Sequence, residues 1–233
     1  MSVTSETETG HDRKTANMLR LDVGQALDLS GLQIYRSVFK RLLDIILVLS
    51  VSLPVLVLVA ALAVLIACDG GRPFYSQMRV GRGGRLYRLW KLRTMCPDAE
   101  AALEAHIADD PDARAEWDST QKLKSDPRVT WFGHLLRRSS FDELPQLWNV
   151  LVGHMSLVGP RPMMPDQQQI YPGRAYFGLR PGITGPWQIS ARNESTFADR
   201  AWFDDGYDKA LSFRTDLRIL LGTVRVVLRG TGH

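Results

Sequence analysis

The sequence predicts an α+β, mainly α fold: one compact domain with a small β-hairpin, preceded by a single apolar helix that enters a membrane. Three observations predict it. An apolar run without a charge extends from Ile45 to Cys68, and as a helix it is long enough to match a hydrocarbon core of roughly 30 Å. Two segments that interleave apolar and basic residues flank the glycine-rich Gly81-Arg82-Gly83-Gly84, the pattern of a hairpin. The remainder is helical in pattern, with no strand–GxGxxG–helix unit of the kind a dinucleotide-binding sheet requires. The 233 residues suffice for one domain and an anchor. The expected division is a weakly ordered tail over 1–34, a membrane anchor over 35–72 and a compact domain on the cytoplasmic side over 73–233.

Met1 to Asn17 is polar, rich in Ser, Thr and Glu, and has no apolar period, as expected of a disordered tail. No apolar core follows closely enough for a secretory signal. Leu19 to Leu32 is weakly amphipathic. The apolar run then begins after Arg36, Lys40 and Arg41 and is followed by Arg72, Arg79 and Arg82. Basic residues at both ends favour keeping both on the cytoplasmic side. Pro54, with Ser52 two residues before it, would kink a helix through the run. The residues leave two topologies open: a spanning helix, and a helix–break–helix that enters and leaves one leaflet. Asp44 at the run's edge needs a partner, Lys40 or Arg41.

Arg72 to Arg93 reads as the hairpin. Pro97 to Asp126 reads as a solvated helical excursion broken near Pro111. The octapeptide Ser139-Ser140-Phe141-Asp142-Glu143-Leu144-Pro145-Gln146 reads as a helix start. Ser140 and Glu143 have capping-box spacing, but Pro145 would then sit too deep in the helix. With Asp142 as N-cap, Pro145 falls in the first turn, where its missing N–H costs little. That register places Asp142 at the positive end of a helix. Further on, Gly159-Pro160-Arg161-Pro162 is a stiff loop that can present a guanidinium to a phosphate, or simply connect two elements. Arg180-Pro181-Gly182-Ile183-Thr184-Gly185 is a second constrained loop, whose glycines allow close approach to a ligand or only tight turns. Phe213 to Arg229 is an amphipathic helix that could cover the core or lie at a membrane interface.

The chemistry available is narrow. Cys68 and Cys96 fit no metal or disulfide spacing, and the five histidines are scattered, which leaves zinc and imidazole chemistry without support. What remains is an adjacent Asp-Glu pair amid arginines, beside an anchor, in a chain of net charge +4. Carboxylates can hold a hard cation such as Mg²⁺, and one can attack phosphorus to give an acyl phosphate.

Taken together from about Tyr35 onward, the Asp142-Glu143 stretch, the Pro-Arg-Pro loop, the Arg-Pro-Gly-Ile-Thr-Gly loop and the proline-bearing apolar segment resemble the bacterial sugar transferases. These are the monotopic phosphoglycosyl transferases that load a phosphosugar onto a polyprenyl phosphate. The resemblance implies a re-entrant anchor broken at Ser52 and Pro54, a bacterial inner-membrane location on the cytoplasmic face, and Mg²⁺ as cofactor. It implies transfer of a hexose 1-phosphate, galactose or glucose, from a UDP-sugar to undecaprenyl phosphate, with UMP leaving, as the first membrane step of exopolysaccharide synthesis. Asp142 would carry the covalent phosphosugar, and Glu143 would bind Mg²⁺ or handle a proton. Lys91, Arg137, Arg161, Arg180 and Arg192 would contact phosphate or substrate. The family's Gly-Arg-Asn is here Ala191-Arg192-Asn193, so the flexible glycine is replaced. Acidic inner-membrane lipid and the pathway's downstream glycosyltransferases would be partners. A different class, a non-catalytic membrane scaffold with a basic surface, would bind acidic lipid without releasing UMP. Nucleic-acid binding is disfavoured, since no helix-turn-helix, RNP or zinc pattern occurs.

Overall fold

The computed structural model describes residues 34–120, 123, 125–190 and 196–228. The N-terminal tail and the Arg192-Asn193 pair singled out above lie outside them. The described chain is α+β and mainly helical, with two small two-stranded sheets.

A π-helical turn, Tyr35–Phe39, leads into α1, Lys40–Ala67. Tyr35–Ala67 is the one described helix long and apolar enough to cross a membrane, with a mean hydropathy of 3.0. α1 runs through Pro54 without interruption, so the expected gap between two helices is absent. The proline opens the hydrogen-bond ladder without ending it, while the Ser50 and Ser52 hydroxyls donate back to Leu47 and Leu49 carbonyls. The middle of α1 is bare: Leu53, Leu56 and Val57 are exposed. Its ends are not. Near the start, Arg41 donates to the Val150 and Leu151 carbonyls, Asp44 accepts from the Leu157 N–H at 3.1 Å, and Val48 is buried with Tyr87, Leu89, Val150 and Met155. Near the finish, Leu62 and Ile66 are buried with Leu92 and Leu136, and the Ile66 carbonyl accepts from Arg93. Both ends therefore pack on one domain, against residues of a single strand.

That strand is β2, Leu86–Leu92, the second arm of the expected hairpin. It pairs antiparallel with β1, Phe74–Val80, in a register that sets Tyr75 opposite Lys91 and Arg79 opposite Tyr87. The connecting turn needs its glycines, since Gly83 and Gly84 have φ of 69° and 76°. Helices α2, Ala99–Asp109, and α3, Pro111–Thr120, form the solvated excursion. Asp110 caps α3 by accepting from the N–H groups of Asp112 and Ala113, with Pro111 in the first position.

Helix α4, Trp131–Ser139, is capped by Thr130, which accepts from Gly133 N–H. It ends at Ser140 in the left-handed region, φ 59°. A single 3₁₀ turn, Phe141–Glu143, follows, and α5, Gln146–Leu151, starts only after Pro145. This corrects the expected register. Asp142 is not an N-cap, because Ser140 closes the preceding helix and Pro145, which has no N–H to give, takes the flanking position of the next one.

A short parallel sheet joins β3, Ser156–Val158, to β4, Gly182–Thr184. The second constrained loop is thus partly a strand. Its glycines make room for backbone: a Cβ on Gly182 would lie 2.1 Å from the Gly159 nitrogen, and one on Gly185 2.1 Å from the Gly159 carbonyl oxygen. Two backbones pass too closely for any side chain. Between and beyond the strands come α6, Ala175–Gly178, α7, Pro186–Ser190, α8, Asp199–Lys209, and α9, Phe213–Leu228. Asp216 of α9 is buried and accepts from Tyr35, Lys40 and Tyr207, tying the start of α1 to the C-terminal helices. The leucine face of α9 points outward, with Leu217, Leu221 and Val224 exposed.

Candidate active site

Asp142 and Glu143 sit on the 3₁₀ turn between α4 and α5, against β2. The Lys91 ammonium, on β2, lies 2.7 Å from Glu143 Oε1 and 3.4 Å from Asp142 Oδ2. Asp142 is 7% exposed. Burial pushes its carboxyl pKa up, while Lys91, and more weakly Arg137, pull it back down; the neighbouring Glu143 pushes up as well. Burial also works against the Lys91 ammonium, but Glu143 and Asp142 outweigh it and its pKa is raised. The net effect leaves the Asp142 pKa raised, and the pull toward the charged form comes from cations brought from other elements rather than from a helix end.

Each cation is held by a partner of its own. Arg137, in the last turn of α4, donates from Nε to Thr94 Oγ1 at 2.9 Å. Lys91 is placed by the backbone of β2, and that backbone is gripped by Asn149 of α5. Asn149 is 1% exposed, donates to the Arg88 carbonyl at 2.8 Å and accepts from the Trp90 N–H at 3.1 Å. Arg161, on the Pro-Arg-Pro loop, is exposed, lies over the Trp187 ring at 5.2 Å and acts electrostatically on Lys91. The structure therefore brings Lys91, Arg137, Arg161, Asp142 and Glu143 into one neighbourhood. Arg180 is elsewhere. It donates to the Gly153 carbonyl and lines a small pocket with Arg36, Lys40, Asp44 and Arg82. Arg192 falls outside the described residues. Ser52 and Pro54 lie in the bare middle of α1.

Three further groups escaped the sequence reading. Asn149 stands in an apolar run and Thr94 in a basic one, so neither signals a role without its partner across the fold. Tyr176 is the third. Its hydroxyl donates to the Val80 carbonyl and accepts from the Met163 N–H, while Val80 N–H donates to the Met163 carbonyl. The Pro-Arg-Pro loop is thereby fastened to the end of β1.

Among the described residues no group of three His, Cys, Asp or Glu side chains converges. Two adjacent carboxylates nevertheless match the donor set of Mg²⁺, which takes one or two carboxylates and completes its shell with water and phosphate oxygens. Glu143, the more exposed of the pair, and Asp142 would hold such an ion, sharing their charge with Lys91.

Comparison with known proteins places this geometry. The family described as bacterial sugar transferase matches residues 35–230. The "UDP-galactose-lipid carrier transferase" of Erwinia amylovora is 45% identical over 195 residues, covering 83% of this chain and 41% of that protein. The "Undecaprenyl-phosphate galactose phosphotransferase" of Salmonella typhimurium is 46% identical over 166 residues, 70% of this chain and 35% of that one. The "Exopolysaccharide production protein ExoY" of Rhizobium meliloti is 45% identical over 166 residues, 70% of this chain and 74% of its own length. The first two relatives are much longer proteins, of which this chain spans less than half.

Proposed function

The chain belongs to the bacterial sugar transferase family, and from that premise we propose that it transfers a hexose 1-phosphate from a UDP-sugar to undecaprenyl phosphate through Asp142. The observation that carries the proposal is a buried carboxylate whose charge is upheld by Lys91 and Arg137, beside a second carboxylate and next to an apolar helix. Galactose is the favoured sugar, because two relatives at 45% and 46% identity are named for it.

An Asp142 carboxylate oxygen attacks the β-phosphorus. The new P–O bond forms as the bond to the bridging oxygen breaks, and UMP departs with that electron pair. The phosphosugar is then an acyl phosphate on Asp142. A phosphate oxygen of the polyprenyl phosphate attacks the same phosphorus, forming the diphosphate and returning Asp142 to its carboxylate. Lys91 and Arg137 face charge that grows in both steps, and their positions are fixed before reaction. A Mg²⁺ ion bound at Glu143 and Asp142 would supply charge neutralisation to the donor diphosphate.

The anchor reading rests on α1. Both its ends pack on one domain while its middle stays exposed, which favours a shallow helix that enters and leaves one leaflet over one that spans. Exposed apolar side chains near the site, Trp131, Leu135 and Trp148, and the outward leucines of α9 add a surface suited to the interface. A polyprenyl phosphate keeps its headgroup at that level, so a soluble nucleotide and a lipid meet at one carboxylate. Lipid-dependent UMP release, assayed with a panel of UDP-sugars in nanodiscs, tests the reaction. Asp142→Asn should abolish it together with any trapped phosphosugar; full activity in that variant would defeat the mechanism.

A further inference from the structure

Beside the Pro-Arg-Pro loop the structure gathers three guanidinium groups that no single stretch of sequence brings together. Arg79 comes from β1, Arg161 from the loop and Arg200 from the start of α8. Arg161 and Arg200 share one aromatic plate, the buried Trp187, at 5.2 and 4.6 Å, and Arg200 also lies over Phe197 at 5.0 Å. The three repel one another: Arg161 acts on Arg79, and both act on Arg200. The Nε atoms of Arg79 and Arg200 are buried, with no hydrogen-bond partner among the described residues. Arg79 keeps one bond, from Nη2 to Gln77 at 2.7 Å. A donor left buried and unpaired is costly, and two such donors in a like-charged cluster form an arrangement that an anion completes.

The internal counter-charge is weak. Asp204 is the acidic group that acts on Arg200, and it is spent partly on Tyr171, whose hydroxyl donates to it at 2.7 Å. Burial pushes the Asp204 carboxyl up to about 7, so near neutrality it balances only part of one arginine. The cluster is also continuous with the reacting groups, because Arg161 acts on Lys91, which holds Asp142 and Glu143. Tyr176 fixes the spacing by tying Val80, next to Arg79, to Met163, two residues past Arg161.

We propose that Arg79 and Arg200 are substrate-binding residues that, with Arg161, form a pocket for a phosphate monoester, oriented by Trp187. In the reaction proposed above, on which this inference rests, two phosphate monoesters qualify: the departing UMP and the polyprenyl phosphate headgroup.

The test is direct binding to the full chain in detergent, which requires no turnover. UMP and farnesyl phosphate, a short polyprenyl phosphate, are titrated separately against the parent chain, Arg79→Gln, Arg200→Gln and, as a control, Arg114→Gln on the exposed face of α3. Loss of one guanidinium of the cluster is expected to weaken one of the two ligands by roughly 10- to 100-fold, while Arg114→Gln retains binding. A fall confined to UMP assigns the pocket to the nucleotide, and a fall confined to farnesyl phosphate assigns it to the lipid. Unchanged affinity for both ligands in the two folded arginine variants overturns the inference. Where a Gln variant loses its thermal transition, Arg79→Lys or Arg200→Lys is read instead, with an intermediate loss expected and none overturning it. Should turnover be absent while arginine-dependent binding persists, the reaction has failed and the pocket stands.

Discussion

Asp204→Asn gives the sharpest reading of how burial sets charge in this fold. Asp204 is 3% exposed and accepts from the Tyr171 hydroxyl, and burial raises its pKa from 3.8 to about 7. The folded chain therefore binds this proton more tightly than the unfolded chain does. The stability it contributes is complete below pH 3.8 and is lost as pH rises through about 7. A separation of about 3 units corresponds to about 4 kcal/mol. At about 2–4 °C per kcal/mol for a chain of this size, that is a difference of roughly 10 °C. Asparagine cannot ionise, yet its carbonyl can still accept from Tyr171. The assay is the thermal midpoint of parent and variant in detergent from pH 4 to 8. The two should nearly coincide at pH 4, and the variant should gain on the parent as pH rises, by up to about 10 °C at pH 8. Asp142, also raised, adds a slope of the same sign, but it is present in both proteins and cancels in the difference. Parallel curves, or a parent that gains on the variant with rising pH, would refute the reasoning; the second result would mean that ionised Asp204 is needed chiefly to neutralise Arg200.

Three further outcomes follow from named contacts. Lys91→Met removes the cation that pulls the Asp142 pKa down against burial, so turnover should fall by at least about tenfold at pH 7 and recover as pH rises; a loss equal at every pH would contradict that role. Asn149→Leu leaves the Arg88 carbonyl and Trp90 N–H unpaired inside the fold, for a destabilisation of about 2–4 kcal/mol visible as a lowered thermal midpoint. For the anchor, Cys68 is exposed at the end of α1 and Ser37→Cys marks its start. In a Cys96→Ser background, both thiols should react with a membrane-impermeant maleimide from the same side of inverted membrane vesicles, and labelling from opposite sides would restore a spanning helix.

The hairpin and the apolar helix were legible because their signals are local. Gly83 and Gly84 mark the hairpin turn, where φ is positive, and the alternation on either side sets the strands. The site was legible only in part. Asp142 and Glu143 announced themselves as adjacent carboxylates, but their local setting was misread as a helix start. The spacing from Ser140 to Glu143 fits a capping box, and nothing in eight residues reveals that Ser140 instead terminates α4 in the left-handed region. Gly182 and Gly185 suggest a turn or a ligand when seen alone, and nothing local shows that both lie against the Gly159 backbone, in the contact between β3 and β4 that joins segments some 25 residues apart. Asn149, Thr94 and Tyr176 were invisible for the same reason, since each acts only on backbone or side chains far along the chain.

This division explains what kind of site the fold builds. A carboxylate at a helix N-terminus would carry its stabilisation within its own segment, and almost any fold containing that helix would keep it ionised. Asp142 has no such support. The pull toward its charged form comes from Lys91, delivered by a strand that Asn149 grips, and from Arg137, delivered by a helix that Thr94 steadies. Both ends of α1 pack on the strand that carries Lys91. Perturbing α1 therefore perturbs the ammonium beside Asp142 through one intervening element. In the reaction proposed above, the carboxylate would thus be tied through tertiary contacts to the segment that brings a lipid acceptor within reach, and a chain detached from that segment is expected to show a further raised Asp142 pKa together with lost access to the lipid.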